Sequence, residues 1–245
     1  MKVVIKMFFN MVKQITQEMM MILLIIAPFL AGAFFRFGIP FLEKNILSRY
    51  GFEHFLVPYY EIFSWLLAIL TGMLFAFVGG LVVLGEIDDN ITKYFMVTPA
   101  GMIGYISSRI VIPAFISGIV ALFCVPVFSL IELSFPKIIV MIISTVLSGI
   151  VTAMLVVAIS SNKVEGMAVG KLSGLFGITL FVPILIKGMI KYVFCIFPMF
   201  WVGQWSMSGS LFALIIAAAE FGAWIYLMFV MFRRKTGGDG VFRLF

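Results

Sequence analysis

Residues 62–84 read IFSWLLAILTGMLFAFVGGLVVL, 23 positions without a formal charge. At 1.5 Å per residue such a helix is about 34 Å long, enough to cross a hydrocarbon core of about 30 Å. Ile110–Ile131 and Ile138–Ser160 repeat the pattern over 22 and 23 uncharged positions. Leu211–Phe232 adds 22 positions interrupted by one acid, Glu220, and Met19–Phe35 adds 17 between Glu18 and Arg36, with apolar sequence resuming at Phe41–Leu42. The 245 residues are 63% hydrophobic and 11% charged, with a mean hydropathy of +1.20. Soluble domains run at about 45–50% apolar and ~25% charged. A water-soluble enzyme is excluded, as is disorder, which needs low hydrophobicity and high charge. The fold class is an all-α integral membrane protein.

Between the span at Ile138–Ser160 and the last lie two shorter apolar stretches, Leu172–Ile186 and Tyr192–Trp205, of 15 and 14 residues. The first reads as a span and the second, with Pro198 and its aromatic residues, as a segment that dips back into the membrane from outside. The expectation is six transmembrane helices at about 19–42, 62–84, 108–131, 138–160, 172–190 and 209–232. A re-entrant outer segment at 192–205 and a cytoplasmic tail at 233–245 complete a single transmembrane domain of 1–245. Seven spans would move the C-terminus to the other side. Charge favours six. With both termini cytoplasmic, Lys2, Lys6, Lys13, Lys93, Arg109, Lys163, Lys171, Arg233, Arg234, Lys235 and Arg243 lie inside, eleven of the 17 Lys and Arg. Arg36, Lys44, Arg49, Lys137, Lys187 and Lys191 lie outside. This bias obeys the positive-inside rule, and Arg233-Arg234-Lys235 is its strongest vote. A multi-pass protein of the cell membrane follows.

At the start of the chain, Lys2, Lys6, Asn10, Lys13 and Gln17 recur at helical spacing and make one polar stripe; Phe8, Phe9, Met11 and Ile15 fill other faces. Residues 1–18 therefore read as an amphipathic interface helix. The net charge of +6 serves topology and lipid headgroups, and no basic cluster interleaved with aromatics points to nucleic acid. Gly72, Gly79-Gly80 and Gly149 permit close helix approach, and Pro28, Pro113 and Pro126 mark kinks.

Catalytic chemistry finds no support. Gly166-Met-Ala-Val-Gly170-Lys171-Leu172 is one residue short of a phosphate loop, and Leu172 stands where Ser or Thr would meet Mg²⁺. His54 is the single histidine, and Cys124 and Cys195 show no metal-ligand spacing. No catalytic, metal or cofactor site is expected on this chain. Glu220 stands alone at mid-span, where a carboxylate costs about 2.5–3.5 kcal/mol on insertion scales. It either lines a transport path or makes a structural hydrogen bond.

The distinctive segment is Gly85–Ser108, GEIDDNITKYFMVTPAGMIGYISS. Asp88 or Asp89 is placed to cap a short helix, with Ile91, Tyr94 and Phe95 on one face and Thr98-Pro99 at its end. The plain alternative is a loop lying on the membrane; the sharper one is a docking element for a soluble protein.

Here the chain resembles permease subunits of ATP-binding cassette exporters of the type-2 class. Glu86, Asp88, Asp89, Asn90, Thr92, Tyr94, Phe95, Thr98 and Pro99 fall on that family's Glu-rich turn and cytoplasmic coupling helix between spans two and three. Ser161–Gly166 resembles the loop between spans four and five, and Pro198–Trp201 the outer segment before the last span. Within the class it looks most like small drug-export permeases, including fluoroquinolone exporters. The resemblance implies a non-catalytic subunit that pairs with a second copy or a homologous permease. Two ATPase subunits carrying ATP and Mg would dock on the coupling helices and drive a hydrophobic or amphipathic molecule, drug-like or lipid-like, out of the cytoplasm or inner leaflet. The rivals are a proton-coupled secondary transporter using Glu220 and a membrane-embedded lipid-modifying enzyme.

Overall fold

A computed structural model describes residues 2–45, 56–96 and 101–235. Among them six helices are long and apolar enough to cross a membrane. The amphipathic helix α1 (Lys2–Gln17) leads into α2 (Met19–Asn45), and α3 (Val57–Asp88) follows. A short helix α4 (Thr92–Met96) precedes α5 (Gly101–Phe128). Next come α6 (Phe135–Ile159) and α7 (Lys163–Leu185). A 3-10 turn at Met189–Phe194 and α8 (Pro198–Ser208) form an arm before the last helix, α9 (Leu211–Lys235). The fifth spanning helix thus begins at Lys163, ahead of the 172–190 expected. Asn162 caps it by accepting a hydrogen bond from the Glu165 N–H at 2.9 Å. His54 and residues 236–245 lie outside the described residues.

α3 is the axis of the bundle. It packs on α2, α5, α6 and α7, and 72% of its most apolar window is buried, against 22% for α2 and 17% for α9. Glycine makes the α3–α6 contact possible. A Cβ on Gly72 would stand 2.2 Å from the Thr145 carbonyl, and one on Gly149 would stand 2.7 Å from the Gly72 carbonyl. With the backbones this close, Thr145 Oγ1 reaches across to the Ala68 carbonyl at 3.0 Å. Such backbone approach is how spans associate where lipid removes the hydrophobic drive between them.

On α1, Met7, Met11 and Ile15 are buried at i, i+4 and i+8, and Met11 and Ile15 cluster with Val78, Leu81 and Val82 of α3. Lys6, Asn10, Lys13 and Gln17 remain exposed. Helix α5 begins with a regular stretch, Gly101–Ile106, and then makes a π turn at Ser107–Val111, just before Pro113. Proline has no N–H to offer the carbonyl of Arg109, four residues back, so the helix widens there. That carbonyl instead faces Gly79, where a Cβ would stand 2.1 Å from it.

The end of α3 corrects the capping expected of Asp88 or Asp89. Asn90 adopts a left-handed conformation (φ 58°). The Asn90 N–H donates to the Ile87 carbonyl at 3.0 Å and the Ile91 N–H to the Glu86 carbonyl at 2.9 Å. This is a Schellman ending with Asn90 in the position glycine usually takes. The Asp88 carboxylate accepts from the Lys163 N–H at 3.0 Å, and the first turn of α4 hangs on the Ile91 carbonyl instead, through Tyr94 N–H at 3.0 Å.

Candidate functional site

The polar groups sort to two ends of the bundle. One end holds α1, the α3–α4 turn, the start of α5, the α6–α7 turn and the last turn of α9. There Glu18 pairs with Lys163, and the Lys235 ammonium donates to the carbonyls of Val157, at 2.7 Å, and Ser160. The other end holds Glu61, which accepts from Lys137 at 2.7 Å and from the Ser206 hydroxyl at 3.1 Å. There too Glu43 accepts from Tyr60, and Arg36 donates to the Ser129 carbonyl.

At the α1 end one charged pair is fully enclosed. Arg109 is 0% and Glu86 3% exposed. Arg109 Nη2 donates to Glu86 Oε1 at 2.6 Å, its Nε lies 3.2 Å from both carboxylate oxygens, and its Nη1 donates to the Met7 carbonyl. The Tyr105 hydroxyl donates to Glu86 Oε2 at 2.7 Å. The guanidinium lies 5.3 Å from the centroid of the Phe95 ring and 5.7 Å from that of Tyr105, and the two rings stack at 5.8 Å. Buried charges persist only when paired and hydrogen-bonded, and both partners here are. The cluster ties α1, α3, α4 and α5 into one body.

The residues expected on a docking face divide accordingly. Glu86 and Phe95 turn inward into this cluster, and Thr92 is buried. Tyr94 is 74% exposed, and Asp88, Asp89, Asn90 and Ile91 lie on the surface beside it. Thr98 and Pro99 lie outside the described residues. Sequence reasoning treated Arg109 as a topology charge and missed its pairing. Its signal was the one basic residue at the start of the third span, opposite an acid at the end of the second.

Below this end a cavity of about 430 Å³ opens on α3, between α2 and α7. Its walls include Met20, Leu24, Leu70, Met73, Phe77 and Ile178, and its polar lining is Thr152, Lys171 and Ser173. The glycines of the defective phosphate loop belong to this helix face. A Cβ on Gly166 would meet Leu84 and one on Gly170 would meet Phe77, both at 2.2 Å, whereas Gly174 faces open space. These glycines serve helix approach, not phosphate.

Glu220 lies away from the cavity. Its Oε1 accepts from Trp201 Nε1 at 3.0 Å, and the same indole donates to the Cys195 carbonyl at 2.8 Å. Its neighbour one turn on, Trp224, donates to the Ile196 carbonyl at 3.0 Å and stacks on Phe197. Both α9 side chains therefore hold the arm before α9.

The profile of the family described as fluoroquinolones export permease protein Rv2686c-like matches residues 11–232. The chain belongs to this family of export permeases. Two proteins of Mycobacterium tuberculosis are similar to it, the fluoroquinolones export permease proteins MT2760 (strain CDC 1551 / Oshkosh) and Rv2686c (strain H37Rv). Each is 23% identical over 235 residues, covering 89% of this chain and 89% of the relative. No solved structure matches it. In this permease the matched region takes in the Glu86–Arg109 pair, the cavity and the arm, and it leaves out only the first part of α1 and the residues after Phe232.

Proposed function

We propose that the chain is the membrane-spanning, non-catalytic subunit of a type-2 ATP-binding cassette exporter that expels amphipathic, drug-like molecules. Two separate ATPase subunits, carrying the ATP and Mg, dock at the α1 end, and the permease works beside a second copy or a homologous permease. The α1 end is cytoplasmic, which agrees with Arg233-Arg234-Lys235 standing there. The observation that carries the reading is the enclosed Glu86–Arg109–Tyr105 cluster. Through Phe95 it fastens a five-residue helix to α3, the most buried span, and to α5. A push on the exposed side of α4, at Tyr94, Asp88, Asp89 and Asn90, would move the bundle as a rigid body instead of bending a loop. The relatives' names, which speak of fluoroquinolone export, supply the cargo class. Thr92 supports α4 from within, and Thr98 and Pro99 continue the docking segment. Glu220 acts in this reading by fixing the arm, since its carboxylate bonds to Trp201 and not to the cavity.

The test is affinity purification of the full chain from gently solubilised membranes, with mass spectrometry of what accompanies it. A soluble ATPase with Walker motifs should copurify stoichiometrically. Tyr94→Ala should lose it while the chain stays inserted and folded. A wild-type chain that brings no ATPase would remove the reading.

A further inference from the structure

Building on the export reading, we infer that the cavity between α2, α3 and α7 binds an amphipathic organic acid whose carboxylate meets Lys171. Its volume, about 430 Å³, falls in the range of sites for drug-sized molecules. The walls are aliphatic, methionine and phenylalanine side chains, suited to an apolar body.

Two polar groups stand among them, the buried Thr152 and the exposed Lys171. Thr152 is 2% exposed, lines the cavity, and its Oγ1 has no hydrogen-bond partner among the described residues. Three other buried hydroxyls on these helices bond back to their own backbone. Thr71 donates to Leu67, Thr145 to Met141 and Ser173 to Gly170, at 2.7–2.8 Å. Leaving a buried hydroxyl unpaired is costly, so a bound polar atom at Thr152 restores what the fold leaves unmet. Lys171 lies eight residues into α7, about 12 Å below Lys163 along the axis. It has no carboxylate partner among the described residues, whereas Lys163 pairs with Glu18 and Lys137 with Glu61. A lone ammonium beside apolar walls, with no second basic residue lining the space, suits a single negative charge, a carboxylate and not a phosphate dianion.

The occupant is oriented by these groups. Its carboxylate sits at Lys171, its apolar body lies along Leu70, Met73 and Phe77 of α3, and a polar ring atom reaches Thr152. Gly174 keeps the space open, because nothing lies within 4 Å of where its Cβ would stand.

The test is binding to the purified full-length chain in nanodiscs, without ATPase. The probes are a fluorescent fluoroquinolone carboxylic acid and its ethyl ester, read by fluorescence anisotropy. Gly174→Leu should weaken both probes at least tenfold while the thermal unfolding midpoint is kept. Lys171→Gln should weaken the acid at least tenfold and the ester less than twofold, with Lys171→Arg restoring the acid. Thr152→Val should weaken both, since each keeps its ring carbonyl. Oleate as competitor identifies the source: displacement with the same Lys171 dependence assigns the carboxylate to a lipid acid, and no displacement to a drug-like one. Unchanged binding in Gly174→Leu, or equal weakening of acid and ester in Lys171→Gln, overturns the inference. Drug efflux from cells separates this from the export reading. Wild-type efflux that Gly174→Leu leaves intact sinks the cavity alone; binding as described without any wild-type efflux sinks the export reading alone.

Discussion

A guanidinium with no solvent contact must have both its charge and its N–H donors met by protein. Arg109 does so with one carboxylate, one backbone carbonyl and two aromatic faces. Cutting the pair on one side leaves the other charge stranded, which costs about 3–5 kcal/mol. Arg109→Gln should therefore lower the unfolding midpoint sharply in detergent. Glu86→Gln should do likewise, since its amide cannot balance the arginine charge. The double variant, with two neutral amides of similar reach, should be less destabilised than the sum of the singles. Fluorescence-detected thermal unfolding of the three variants measures the coupling, and additive losses would mean the two side chains act independently. On α4 the two aromatics placed on one face with Ile91 point different ways. Tyr94 and Phe95 are adjacent, and on a helix adjacent side chains diverge by about 100°. One faces water and the other stacks on Tyr105.

Between elements, hydrogen bonds join what hydropathy alone leaves unattached. The arm from Met189 to Ser208 meets α9 through Glu220 and Trp224, whose bonds go to Trp201 and to the Ile196 carbonyl. A glutamine at 220 keeps an acceptor for the Trp201 indole and removes the charge. Glu220→Gln should preserve both folding and transport, whereas Glu220→Leu should loosen the arm and lower the unfolding midpoint by a few degrees. Loss of transport in a stable Glu220→Gln protein would instead make the charge itself the working part. Most of the spanning helices were legible because they are apolar runs of membrane length, a signal local to the sequence; the fifth was read too late because Lys163, Glu165 and Lys171 interrupt its first half. The α1 face was legible for the same reason, through a 3.6-residue period. The cavity was not, because it depends on glycines of α7 spaced to meet α3, and at sequence level 166–171 looks like a failed phosphate loop. Nor was the Glu86–Arg109 pair, since its partners lie 23 positions apart across a turn. Asn90 could have been read: an asparagine just past an apolar helix is a known left-handed ending, and it removes the need for an aspartate cap.

Across the whole molecule, the helices carry their charges to two faces and leave the middle nearly bare. The α1 face holds Lys6, Lys13, Lys163 and the Arg233–Lys235 cluster, and the far face holds Arg36, Lys137, Lys187 and Lys191. Basic residues in short loops are retained on the cytoplasmic side, so the denser face should be the inner one. That assignment decides whether α4 can meet a cytoplasmic ATPase at all, which makes it the natural check on the export reading. Cys124 is buried and Cys195 partly so, and both can be replaced by serine or alanine to give a cysteine-free background. Single cysteines are then placed at Ser161 and Lys187, both exposed and at opposite ends of α7. In intact cells a membrane-impermeant maleimide should label the cysteine at 187 and spare the one at 161, and permeabilisation should expose both. The reverse pattern would turn α4 away from the cytoplasm and leave an ATPase nothing to push. Labelling of both sites in sealed cells would contradict α7 as a spanning helix, since its ends would then share one face of the membrane.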